Sequence, residues 1–110
     1  MGITKAEALK AVDRERGPVC EASDRIWDQP ETAFQEFHST DVLCELLEKE
    51  GFRVERNLAG IATAFSGTYG SGKPVVGILG EFDALSGLSQ ESESLEKTAL
   101  VDGAPGHGCG

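Results

Sequence analysis

The stretch "VVGILGEFDALSG", Val75 to Gly87, decides what kind of fold this chain can have. Its first five residues, Val75-Val76-Gly77-Ile78-Leu79, carry no polar side chain and no alternation, the pattern of a strand covered on both faces. The run then breaks at Gly80 into two carboxylates, Glu81 and Asp83, one residue apart. Open α/β sheets collect ligands at the carboxyl ends of their strands, where acidic groups can serve chemistry. If the strand continued through Asp83, alternation would place both acids on one side. Two close carboxylates can orient a histidine, support a metal or divide their pKa values for acid–base work. The other reading is a strand end passing into solvent with ordinary surface acids.

Upstream of this stretch the period is helical. Thr4-Lys5-Ala6-Glu7 has the form of a capping box, in which hydroxyl and carboxylate each satisfy the other residue's amide. Ala6, Leu9 and Val12 follow at helical spacing, and Gly17-Pro18 predicts the end of that helix. A second helix is expected over Val19 to Asp28, with Ile26 and Trp27 inward and Pro30 as its stop. Thr32 to Gln35 repeats the capping pattern. Phe34, Phe37, Leu43, Leu46 and Leu47 then mark an apolar stripe with a kink expected near His38-Ser39-Thr40. His38 is read as lying on a half-exposed helical face. Gly51 is the expected left-handed cap, with Phe52 folding back onto the last turn.

The period then becomes two. Phe52 and Val54 alternate with Arg53 and Glu55, and Ile61, Thr63 and Phe65 alternate with Ala62, Ala64 and Ser66, predicting two short strands. Helices followed by a buried strand imply an α/β layer architecture. From Ala84 onward Ser, Glu and Gly dominate, predicting a long loop with one helical turn around Glu93 to Leu100. A loop of that length in a compact domain signals function or disorder.

At 110 residues the chain suffices for one small domain, and its 39% hydrophobic and 26% charged residues are those of a globular protein. No apolar run reaches the roughly 18 residues of a membrane span. The polar start of the chain lacks the apolar core of a secretory signal, so a cytoplasmic location is expected. The net charge of -9 would repel a phosphate backbone, and Lys5, Lys10, Arg14 and Arg16 are interleaved with acids, so nucleic acid is not an expected partner. The three cysteines match no disulfide framework and are read as reduced thiols. Cys20 and Cys44 are expected to pack as small helical side chains.

Two further patterns bear on chemistry. Gly67-Thr68-Tyr69-Gly70-Ser71-Gly72-Lys73 matches most of a phosphate-binding loop, but Pro74 stands where the magnesium-binding hydroxyl belongs and a strand is expected next. Those glycines are better explained as a flexible connection between strands. His107-Gly108-Cys109, in "GAPGHGCG", offers imidazole and thiolate to a zinc-like ion. Two donors do not complete a site, since a structural zinc takes four and a catalytic one three plus water.

Taken in order, "WDQPETAFQEFHST", "LLEKEGFRVERNLAGIATAF", "VVGILGEFDALSGLSQ" and "APGHGCG" resemble the N-terminal part of the aminoacylase/carboxypeptidase-type metallopeptidases. Within them the chain is most similar to the aminobenzoyl-glutamate hydrolase and β-alanyl-lysine dipeptidase branch. The resemblance runs across nearly all of the chain, and "GEFDALSGLSQ" with "GHGCG" carries its specificity. It implies an incomplete α/β fold, the zinc-peptidase-like (phosphorylase/hydrolase-like) three-layer arrangement with helices preceding a mixed sheet. Residues 1–110 would form part of a catalytic domain, without the inserted dimerisation domain.

The resemblance also implies roles. Cys109 matches a ligand of a two-metal centre of zinc or manganese, and His107 a residue beside the ligands. Asp83 matches the strand-end aspartate that helps orient the active site, and is the candidate catalytic residue. Glu81 stands where more distant relatives place a metal-binding histidine, so no ligand role passes to it. Ser86 replaces a proline common in relatives. Their remaining ligands and general-base glutamate lie past the position of Gly110. The implied reaction is hydrolysis of an amide joining an amino acid to an acyl or aminoacyl group, on small peptide-like or N-acyl amino acid substrates. The isolated chain is expected to be inactive, and an unpaired edge at Val75 to Leu79 would favour a homo-oligomer. The competing expectation is a non-catalytic binding or assembly module that uses this edge.

Overall fold

The computed structural model describes residues 2–109. Helix α1 spans Lys5–Asp28 and helix α2 Phe37–Lys49, followed by strands β1, Arg53–Arg56, and β2, Phe65–Thr68. Two helices followed by a small antiparallel sheet make an incomplete α/β arrangement, with Arg53 opposite Thr68 and Arg56 opposite Phe65.

The start of α1 forms as its sequence dictates. The Thr4 hydroxyl accepts from the Glu7 amide, and the Thr4 amide donates to the Glu7 carboxylate at 2.7 Å. The expected break at Gly17-Pro18 does not occur, because α1 runs unbroken through Pro18. A proline clashes with the Cβ of the residue before it, and Gly17 has none. Its missing amide removes one helical bond from a stretch that faces solvent on most sides.

Helix α2 begins later than the pattern suggests. Thr32 to Gln35 closes a turn, Gln35 N donating to Thr32 O at 2.9 Å, with Phe34 at φ 67° and 68% exposed. At its other end, Gly51 takes φ 86°. Its amide donates to Glu48 O at 3.0 Å, while Phe52 N reaches Leu47 O at 3.0 Å. This is the paired bonding of a Schellman cap, as the sequence indicated. Phe52 then packs beside Tyr69, ring centroids 5.2 Å apart. Gly67 lets β2 approach α2 closely, since a Cβ there would stand 3.0 Å from Leu47 Cδ1. The Thr40 hydroxyl donates to Thr63 O at 2.9 Å, fixing the loop before β2 to the start of α2.

Val75 to Leu79 forms no strand. Val75, Val76, Ile78 and Leu79 are 84, 80, 95 and 93% exposed. A strand covered on both faces needs neighbours in the sheet and helices above and below, and the described residues offer none to this segment. The second short strand is displaced toward Thr68, because Leu58–Gly60 forms a 3-10 turn and Ala62-Thr63 another turn. No helical turn forms at Glu93 to Leu100.

The apolar core among the described residues is small: Ala22, Val42, Cys44 and Ala84. The accessible surface is 8674 Å², against about 5,900 Å² for a compact folded chain of this mass. The radius of gyration of 16.4 Å likewise exceeds the roughly 13 Å of a compact domain of this length. Cys44 packs inside this core, where burial pushes its thiol up. Cys20 does not pack as expected; it lies on the exposed face of α1.

Candidate functional site

The stretch after the failed strand returns to the body of the molecule at Phe82, whose ring lies 5.8 Å from that of Phe65 in β2. From there the chain is fixed by backbone bonds. Ala84 N donates to Glu31 O at 2.7 Å, forming a parallel bridge between Thr32 and Ala84. Leu85 and Gly106 exchange both bonds of an antiparallel bridge, at 3.0 and 3.1 Å. Ser89 N donates to Ala104 O, and Gly108 N to Leu88 O, each at 3.0 Å. "DALSG" and "GHGCG", well separated in the chain, therefore lie against each other as one loop cluster.

Glycine is required where the two strips touch. A Cβ at Gly106 would collide with the Leu88 carbonyl, and one at Gly108 would stand 2.7 Å from the same oxygen. The glycines flanking His107 are thus a packing necessity as well as a source of bend.

The loop between the strips is held by its own polar groups. The Gln90 side-chain amide donates to Glu96 O at 2.9 Å and accepts from Thr98 N at 3.1 Å. Ser89 Oγ accepts from Val101 N at 3.0 Å. With Trp27 this loop borders a hollow of about 600 Å³ that also touches Leu88 and Gly108.

The candidate residues occupy different depths. Asp83 is half-buried, one position before the bridge at Ala84. Glu81 is exposed, and so is Cys109, a free thiol. His107 is half-buried, its ring 6.4 Å from that of Trp27, and its buried Nε2 has no hydrogen-bond partner among the described residues. It lines an apolar hollow of about 390 Å³ with Val19, Ile26, Trp27, Leu43 and Leu46. His38 is half-buried as read from the sequence, though its Nε2 also lacks a partner among the described residues. Among the described residues no three His, Cys, Asp or Glu side chains converge as a metal-holding group. Gly70 to Lys73 leads into no helix, so the glycine-rich stretch lacks the architecture of a phosphate loop.

Glu31 is a structural anchor that no local pattern singles out. Its Oε2 accepts from His38 N at 2.9 Å, and its Oε1 from Ser39 N and the Ser39 hydroxyl at 2.7 Å each. It thereby caps α2 from outside, because Glu36 at the cap position makes no side-chain cap bond. Burial works to raise the Glu31 carboxyl. The bonds from Ser39 and His38, with the nearby His38 charge, outweigh that and hold it below the ordinary carboxylate range. The available signal was an acid just past a helix-stopping proline, ahead of a helix start with no Ser, Thr, Asp or Asn at its cap.

No protein-family model matches the chain. It is 46% identical over 100 residues to a p-aminobenzoyl-glutamate hydrolase polypeptide of Escherichia coli (strain K12). The match covers 91% of this chain and 21% of that protein, so the chain spans about a fifth of the length of the curated relative it matches. The resemblance read from the motifs therefore holds, and it is consistent with an N-terminal portion of such a protein.

Proposed function

We propose that this chain is part of a metal-dependent amidohydrolase that cleaves an amide between an amino acid and an acyl or aminoacyl group. The observation that carries the reading is the pairing of Leu85 with Gly106, which sets the Asp83 segment and the Cys109 segment side by side. Similarity to a protein named for hydrolysing an aminobenzoyl-glutamate conjugate supports the substrate class, a small N-acyl amino acid or dipeptide. No helix of the described residues is long and apolar enough to cross a membrane.

Cys109 is the residue that would hold a divalent cation, zinc or manganese, as its thiolate; when bound, such a cation lowers the pKa of a water for attack on the amide carbonyl. These residues supply only part of a donor set, because no three donors converge among those described. Asp83, half-buried and adjoining the Ala84 anchor, orients the neighbouring site, and the glycines beside His107 hold the thiolate loop flat against Leu88. The chain by itself binds metal weakly and does not turn over.

Zinc titration into the 110-residue chain, with aminobenzoyl-glutamate present as substrate, tests both statements. Weak binding that Cys109→Ser abolishes, with no hydrolysis, is expected. Binding unchanged in Cys109→Ser, or hydrolysis at enzyme-like rates by the chain alone, contradicts the reading. The exposure of Val75, Val76, Ile78 and Leu79 favours a second reading, a non-catalytic assembly module whose apolar segment pairs with a partner. Under it Cys109→Ser changes nothing, and substitutions within Val75 to Leu79 abolish association.

A further inference from the structure

We propose that Glu31 is a positioning residue: through its two ends it sets where the Asp83 and Cys109 segments stand relative to α2. Its carboxylate is fixed to the first turn of α2 by three bonds of 2.7 to 2.9 Å. Its carbonyl carries the amide of Ala84 at 2.7 Å. Ala84 is 2% exposed and adjoins Asp83, and the next residue, Leu85, pairs with Gly106 three positions before Cys109. On the other side, α2 is fixed to the segment before β2 by Thr40 and Thr63. One route of bonds therefore runs from the segment before β2 through α2 and Glu31 to both motif segments.

Glu31 lies in the irregular connection between Asp28 and Phe37, where no helix or strand ladder fixes the backbone. Besides local backbone bonds, among them those of Gln35 to Thr32, Phe37 to Gln35 and Thr40 to Glu36, and the Thr32–Ala84 bridge, the Glu31 carboxylate ties this connection to the first turn of α2. A plain helix cap would protect only the start of α2. A positioning residue must also hold Ala84. The importance of that placement for chemistry rests on the reading above, but the coupling itself does not.

Amide hydrogen exchange on the full chain separates these cases. In Glu31→Gln, the amides of Ala84, Leu85 and Gly106 are expected to exchange about tenfold faster, as loss of a charged hydrogen bond implies. The amides of Phe52 and Ala64, bonded to Leu47 and Ile61, should be accelerated far less. Faster exchange confined to His38 and Ser39 makes Glu31 a helix cap and nothing more. An equal acceleration of all amides makes it a general stabiliser, and either result overturns the proposal. Ser39→Ala removes one of the three bonds and covers the case in which Glu31→Gln fails to fold. It should produce a smaller change at the same three amides, and no change there overturns the proposal. Cobalt(II) titration, read by the thiolate charge-transfer band, should show weaker binding in Glu31→Gln. If the unsubstituted chain binds no cobalt, the metal reading fails while the coupling is still decided by exchange.

Discussion

Glu31 is stabilised as a carboxylate only in the folded chain, where two amides and a hydroxyl converge on it. Its folded-state pKa lies below its ordinary value, so the stability it contributes is complete above the ordinary carboxylate range and is lost as pH falls through the lowered value. Urea unfolding at a series of pH values should show the unsubstituted chain losing stability on the acid side. Glu31→Gln should be less stable at neutral pH and flatter against pH. Identical pH profiles for the two chains would contradict this role. Single residues were legible in sequence where their partners are close in the chain. Thr4 finds Glu7 three positions on, and Gly51 closes the turn just before it. Glu31 finds Ser39 eight positions on and Ala84 fifty-three on, which no local pattern encodes.

Elements followed the same division. Both ends of α1 were legible, and its interior was not, because the glycine that signals a stop also removes the Cβ that makes the following proline intolerable. Pro18 still lacks an amide for the helix. Pro18→Ala should therefore stabilise α1, by up to about 3 kcal/mol if the helix keeps its present packing. Circular dichroism melts would show a higher transition and unchanged helix content. A lower transition would mean that Pro18, half-buried, contributes packing that alanine cannot replace. The Thr32–Gln35 pattern misled because a capping box describes four residues, whereas the cap used at α2 comes from a fifth outside them.

The molecule as a whole is too open for its mass, and the reason is visible at Val75 to Leu79. Five residues without a polar side chain encode a strand only if other strands lie beside them, and here they are almost fully exposed. The class of fold and the two short strands were legible, the second of them displaced, but the fate of the apolar run was not, because a strand in a sheet is a property of several segments together. Under the assembly reading, an exposed apolar patch of this kind is where a partner copy pairs. Ile78→Lys should reduce self-association in sedimentation velocity while leaving the helical signal unchanged; undiminished association would locate the contact elsewhere.

The candidate site was legible as two motifs, and its geometry was not, since nothing in "DALSG" or "GHGCG" states that they touch. That contact underlies both the metal reading and the role given to Glu31. A nitroxide on Cys109, with Cys20 replaced by serine and Cys44 buried, tests it in solution by paramagnetic broadening of amide signals. The amides of Asp83 to Ser89 should broaden while those of Lys5 to Glu15 stay sharp. Sharp signals throughout Asp83 to Ser89 would show that the two segments do not share one site.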